Sequence, residues 1–319
     1  MRKFLHALGG WFFARGDPRV AAALRISYGA LVLLILWDFY PVMPLLFGHR
    51  GMMGTMDPVL ARLTGIRYFL FHHDSPPELQ LWFWASVAFA AMAMTGLLTR
   101  LSLLLTFLSM MLFRERGPFM TFGADLVLNC IGVWLLFLDC GRVASVDRRL
   151  RRWWGQADDA GALPAIELWP VKAIQIQVAL IYLVTGLKKL QTIPWQDGSA
   201  VYYAVHVGNV LKGQPPPWIV HHHALMALMN YGTLVIELAV PFMLFVRPLR
   251  AWAMGAAFLM HTGIDVFMSI RFFSLTMYVG YVSFLDAGDW SWWAARLAKV
   301  GVGRRLAAPE DEASRQIST

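Results

Sequence analysis

Ala224-Leu-Met-Ala-Leu-Met-Asn-Tyr-Gly-Thr-Leu-Val-Ile-Glu-Leu-Ala-Val-Pro-Phe-Met-Leu-Phe-Val246 is a run of 23 residues with a single charged side chain, Glu237. About 20 mostly apolar residues wound as an α-helix cross the ~30 Å hydrocarbon core of a bilayer, so this stretch reads as a spanning helix. Seven more apolar stretches repeat the signal, at 20–47, 79–98, 101–114, 122–140, 171–190, 249–269 and 271–287. The 101–114 stretch is short and runs into Arg114-Glu115-Arg116, and the last two stretches are parted by little more than Ser269-Ile270-Arg271. A chain that is 58% hydrophobic, with 14 Trp and 21 Phe in 319 residues, is too apolar for a water-soluble globule. The expected fold is all-α: a polytopic integral membrane protein with about eight transmembrane helices plus interfacial helices.

The basic residues orient these spans. Cytoplasmic flanks collect Lys and Arg, and eight spans with the N-terminus inside place 18 of the 28 on the inner side against 9 outside, with Arg25 within the first span. Both termini are therefore expected in the cytoplasm. The same distribution accounts for the net charge of +8 without a nucleic-acid partner, because the basic residues flank spans instead of forming a reading surface. Cys130 and Cys140 lie about 15 Å apart along one helix and cannot bridge each other.

Three units follow: a cytoplasmic interfacial segment at 1–19, a transmembrane domain at 20–290, and a cytoplasmic tail at 291–319, expected to be disordered beyond Ala307. Within the middle unit, 48–78 and 191–223 lie outside the bilayer. Pro215-Pro216-Pro217 breaks any helix there, and 195–212 reads as one short helix at the outer surface, capping a vestibule.

An ionisable side chain inside a span costs roughly 2.5–3.5 kcal/mol on insertion scales and faces a cavity or a partner. Asp125 and Asn129 share a face of the fourth span, and His261 and Asp265 share a face of the seventh. In the fifth span Gln175, Tyr182 and Lys189 recur at seven-residue steps with Thr185 between them, a polar stripe for the bundle interior, whereas Lys188 points about 100° away. Burial strips hydration from a lysine and favours the free amine, which makes Lys189 the candidate base. Glu237 sits mid-span and must be neutral or paired. Lys188 and Arg25 are expected to snorkel toward headgroups, and Asp38 to sit at the interface. His221-His222-His223 points in three directions on a helix, as does His72-His73-Asp74, so no metal is expected, and no nucleotide-binding loop is present.

Tyr182-Leu-Val-Thr-Gly-Leu-Lys-Lys-Leu190 followed by Trp195-Gln-Asp-Gly198 resembles the signature of the vitamin K-dependent γ-glutamyl carboxylase family, known in bacteria as the HTTM-domain family. Ser145-Val-Asp147, Tyr231-Gly with Glu237-Leu, and His261 followed by Phe267 and Phe272-Phe273-Ser274 fall in matching order. The resemblance implies an enzyme of the bacterial inner membrane with its site facing the periplasm. In it Lys189, with Lys188 beside it, deprotonates a reduced naphthoquinone of the vitamin K type. Oxygen then converts the quinol to an epoxide, coupled in the family to carboxylation of a glutamyl side chain. Tyr182, Thr185, Trp195, Gly198, Glu237, His261, Asp265, Asp125 and Asn129 would form the substrate pocket. The implied partners are membrane lipids, a lipid quinone and a secreted or periplasmic polypeptide. Where animal carboxylases carry Asn-His at the start of the fourth span this chain reads Gly123-Ala124-Asp125, and it ends soon after the last span. Two other readings keep the fold without that reaction: lipid binding or transport, and maturation of a secreted protein.

Overall fold

The computed structural model describes residues 2–47, 75–116, 123–155, 163, 165–207, 211–212 and 215–299. The outer loop at 48–74, with His72-His73-Asp74, and the tail from 300 onward lie outside the described residues.

The chain opens with α1 (Arg2–Phe12), whose Trp11 packs against Phe245 and under the Lys172 ammonium. Next, α2 (Arg19–Phe39) continues through a 3₁₀ turn, Tyr40–Val42, into α3 (Met43–Phe47). Then come α4 (Pro76–Thr95), α5 (Thr99–Arg116), α6 (Gly123–Phe137) and the short amphipathic α7 (Val146–Trp153). The long α8 (Trp169–Leu190) leads to three short turns, α9 (Ile193–Gln196), α10 (Ala200–Ala204) and α11 (Pro217–Val220). The chain closes with α12 (His223–Met243), α13 (Arg247–Phe267), α14 (Phe273–Val282) and α15 (Ala287–Lys299). Arg15–Gly16 and Ile166–Glu167 pair as a two-residue antiparallel ladder, β1 and β2, which ties the chain's start to the loop before α8.

Helices occur at all eight apolar stretches, and three of them, Arg19–Phe47, Trp169–Leu190 and His223–Met243, are long and apolar enough to cross a membrane. The protein is therefore a helical membrane protein. The 271–287 stretch departs from expectation: α14 has ten residues, about 15 Å of helix, because Phe272 precedes it in a left-handed conformation and the chain turns again at Ser283–Asp286. The single helix read at 195–212 is two separate turns, α9 and α10, parted at Gly198, where φ is +85°.

Two groups of helices pack side by side. One contains α2, α4, α5 and α6, the other α8, α12 and α13, and α14 lies between them, touching α2, α6, α8 and α13. Arg25 anchors the first group and is the main correction to the sequence reading, for it does not snorkel. It is fully buried, and its guanidinium donates to the carbonyls of Ala93 (2.9 Å), Met94 (2.5 Å) and Ala144 (2.6 Å). The last turn of a helix leaves carbonyls without intrahelical partners and carries partial negative charge, so a buried cation at the end of α4 satisfies both. Gly96, at φ +73°, terminates α4, and a Cβ there would sit 2.6 Å from both Arg25 Nη1 and Ser145 Cβ. Asp147 completes the knot. Its carboxylate accepts from the Leu98 amide (2.7 Å), the Thr99 amide (2.8 Å) and the Thr99 hydroxyl (2.7 Å), capping the start of α5. Burial works against the charged form of Asp147, but these donors outweigh it and hold the carboxyl below its usual range.

Candidate functional site

The face of α8 that carries Gln175, Tyr182 and Lys189 makes four polar contacts with its neighbours. Gln175 Nε2 donates to the Ser283 carbonyl just beyond α14 at 2.6 Å. The Tyr182 hydroxyl bonds His261 Nε2 on α13 at 2.7 Å and the Tyr281 hydroxyl on α14. Lys189 Nζ donates to Glu237 Oε1 on α12. Seven residues are close to two full helical turns, so one face presents these groups in a column while Lys188, a quarter-turn round, is exposed.

Glu237 thus has the partner its mid-span position demanded, and it is the deeper of the two, with 8% of its side chain exposed against 26% for Lys189. The approach depends on Gly186. A Cβ there would lie 3.0 Å from Leu238 Cδ2 and 3.2 Å from Glu237 Cβ, so the absence of a side chain lets α8 and α12 close. Glu237 Oε2 has no hydrogen-bond partner among the described residues, and Thr185 lies beside the same carboxyl while its hydroxyl donates to Ile181 O at 2.7 Å.

Trp195 covers the pair from outside, with Lys189 Nζ 4.6 Å from its ring centre. A cation over an indole face is attracted by the ring quadrupole. Two residues of α12 fix this cover: Asn230 Nδ2 donates to the Trp195 carbonyl and the Tyr231 hydroxyl to the Gln196 carbonyl, each at 3.0 Å. Gly198 follows against the Tyr231 ring. Asp197, at the exposed surface, accepts from the Ser199 hydroxyl (2.6 Å) and amide (2.9 Å), which hold its carboxyl below the usual range.

Other expected members of the site are placed differently. His261 is buried and bonds Tyr182, not Asp265. Its Nδ1 has no partner among the described residues, and the Asp265 backbone carbonyl accepts from Lys212 Nζ at 2.6 Å. On a helix, residues four apart share a face, but a nearer phenol on another helix wins when both chains are buried. Asp125 and Asn129 line a different cavity, built from α2, α3, α5 and α6 with no contribution from α8, α12 or α13. Asp38 pairs with Arg271 at 3.2 Å. His222 caps α12 by accepting from the Leu225 amide at 3.3 Å.

Tyr281 was missed by the sequence reading, as was its neighbour Tyr278, whose hydroxyl lies 3.2 Å from Thr262 Oγ1. A signal existed: Tyr278 and Tyr281 stand three apart on one helix face, yet both count as apolar in a hydropathy reading. Chemically, the arrangement offers a lysine–carboxyl pair that holds one proton between two side chains, roofed by an indole. Below it runs a buried imidazole–phenol–phenol chain, His261–Tyr182–Tyr281, that can donate or accept without bearing charge.

No curated protein and no solved structure matches the chain. The HTTM domain model matches residues 13–290, which include α8, α9, α12, α13 and α14 of the site, and the chain belongs to the HTTM-domain family.

Proposed function

We propose that this protein is a carboxylase-like membrane oxidoreductase in which Lys189 takes the hydroxyl proton of a reduced lipid quinone. The observation that carries the reading is the half-buried contact between Lys189 and Glu237 beside the Trp195 ring. A carboxylate favours the protonated lysine, so burial alone does not free the amine. In surroundings of low polarity, however, separated charges lose much of their hydration, and the amine with a carboxylic acid becomes an accessible form of the same pair. Glu237 is then the first resting place of the lysine's proton, and the free amine faces the substrate. That amine takes the hydroxyl proton of the quinol. The resulting quinolate is the species that dioxygen oxidises. Tyr182 and His261 would orient the quinol oxygens. The proposal covers the quinol half of the family's reaction; with Gly123-Ala124-Asp125 in place of Asn-His, carboxylation is not included.

Eight spans with both termini inside and the site open to the outer half of the bacterial inner membrane are part of the same reading. Two sets of contacts support it. Arg25 meets Met94 and Ala144, all assigned to the inner side, and Asp38 meets Arg271, both assigned to the outer side. A rival reading, lipid binding without chemistry, is favoured by the position of the cavity lined by Asp125 and Asn129, away from Lys189.

The test is quinol oxidation by purified protein. Lys189→Ala should abolish it and Lys188→Ala should leave most of it, and small amines should restore part of the activity of Lys189→Ala. Equal turnover by both variants would end the base assignment and promote the lipid-binding reading.

A further inference from the structure

The helix α7 reads Val146-Asp-Arg-Arg-Leu-Arg-Arg-Trp153, and Trp154 caps its end. At about 100° per residue, Val146, Leu150 and Trp153 fall on one side, within an arc of about 60°, and Arg148, Arg149, Arg151 and Arg152 take the other. Such a division gives a helix one face for an apolar medium and one for water or anions. The protein itself covers neither face: no residue of α7 is buried, and Trp153 and Trp154 are 80% and 63% exposed. Arg151 donates to the Gly141 carbonyl at 2.9 Å, whereas Arg148, Arg149 and Arg152 form no ion pair among the described residues. Partial burial, then the like charges of Arg152 and Arg151, push the Arg148 guanidinium below its ordinary pKa, and an anion beside the three relieves that repulsion. The helix is also held in place. Ser145 accepts from the Arg148 amide at 3.1 Å, and Asp147 in the first turn caps the start of α5. Arg25, near the start of the membrane-length helix α2, reaches the Ala144 carbonyl just before α7. The arginines and indoles of α7 therefore sit at the end of a spanning helix, where the headgroups of a bilayer begin.

We infer that α7 is a docking surface for anionic phospholipid, with Leu150, Trp153 and Trp154 entering the acyl boundary and Arg148, Arg149 and Arg152 binding headgroup phosphates. Complementarity names the occupant. A soluble polyanion would meet the cations but leave two indoles in water. A zwitterionic lipid would cover the indoles but bring no net charge to three guanidinium groups. An anionic lipid does both, since arginine stems reach from the flanks of a helix to the headgroup layer and the planar guanidinium pairs with phosphate through two parallel hydrogen bonds. Because Asp147 belongs to the same helix, a lipid-seated α7 also steadies the joint between α4 and α5. None of these residues takes part in the Lys189 contacts, and the surface stands whether or not Lys189 turns over a quinol.

The purified full-length protein in detergent is titrated with dioleoyl phosphatidylglycerol or dioleoyl phosphatidylcholine and followed by native mass spectrometry. Phosphatidylglycerol should be held more tightly. A basic side chain near an anionic membrane surface contributes on the order of fivefold in affinity, so Arg148→Gln/Arg149→Gln/Arg152→Gln should weaken the first phosphatidylglycerol about a hundredfold and leave phosphatidylcholine unchanged. Arg148→Lys/Arg149→Lys/Arg152→Lys, which keeps the charge, should retain the preference, and Trp153→Ser/Trp154→Ser should weaken both lipids. Equal retention of the two lipids by the wild-type protein would overturn the inference without recourse to any variant. So would a phosphatidylglycerol affinity that the triple glutamine variant leaves intact. Displacement by glycerol 3-phosphate at the lipid's own concentration would make the arginines a free-phosphate site. Poly-glutamate bound more tightly than phosphatidylglycerol, and indifferent to Trp153→Ser/Trp154→Ser, would make α7 a surface for an acidic polypeptide; either outcome ends the lipid assignment.

Discussion

Replacing Glu237 by Leu removes the carboxyl that Lys189 meets between α8 and α12. Breaking a fully buried ion pair by deleting one partner costs about 3–5 kcal/mol. Glu237 meets that condition at 8% side-chain exposure, but Lys189 at 26% can turn its ammonium toward the protein surface, as exposed pairs do at little cost. The expected loss for Glu237→Leu is therefore about 2–3 kcal/mol, reduced from the buried limit by that relaxation. In a Lys189→Met background the same substitution should cost about 1–2 kcal/mol less, because no stranded ammonium remains. Glu237→Gln should be tolerated, since its amide oxygen still accepts from Nζ. The assay is a double-mutant cycle on unfolding by steric trapping in bicelles, where the helices remain in lipid throughout. A coupling energy within about 0.3 kcal/mol of zero, the ordinary error of additivity, would show that the two side chains do not act together, and the proton-sharing pair would fall with it.

Asp147 should give the protein an acid-sensitive joint. Its folded carboxyl lies below the usual range, so the stability it adds is present above the unfolded value near 3.8 and is lost as pH falls through the folded one. Asp147→Asn should melt earlier than the parent at pH 7, with the gap closing as pH falls below about 4; an unchanged gap at pH 3 would refute it. Gly96→Ala should destabilise the protein by more than about 1–2 kcal/mol, since the left-handed backbone and the collision with Arg25 both act at the end of α4, and a melting temperature equal to the parent's would contradict the packing. Reporter fusions after Arg152 and Arg250 should read as cytoplasmic, and fusions near Ser75 and Gly213 as periplasmic; reversed signals at either pair would remove the outward-facing site.

The apolar runs by themselves determined that this is a helical membrane protein and where its helices lie, because lipid leaves backbone groups no partners except those within a helix. The seven-residue spacing also sufficed to separate Lys189 from Lys188, a matter of angle on one helix. What spacing within a helix does not contain is which helix stands opposite. His261 and Asp265 share a face, yet Tyr182 from α8 is the partner His261 meets. Arg25 looked like a snorkelling residue from its depth in the span, and only the arrival of the α4 end and Ala144 beside it provides three carbonyls that make burial favourable. Asp125 and Asn129 share a face of α6, but the bundle encloses more than one interior space, and the packing of α2 and α5 against α6 puts them at the phenylalanine-lined cavity instead of the lysine. Hydropathy is a property of each segment against the lipid, whereas a site is made by side chains from several segments meeting, and that meeting is decided by tertiary packing.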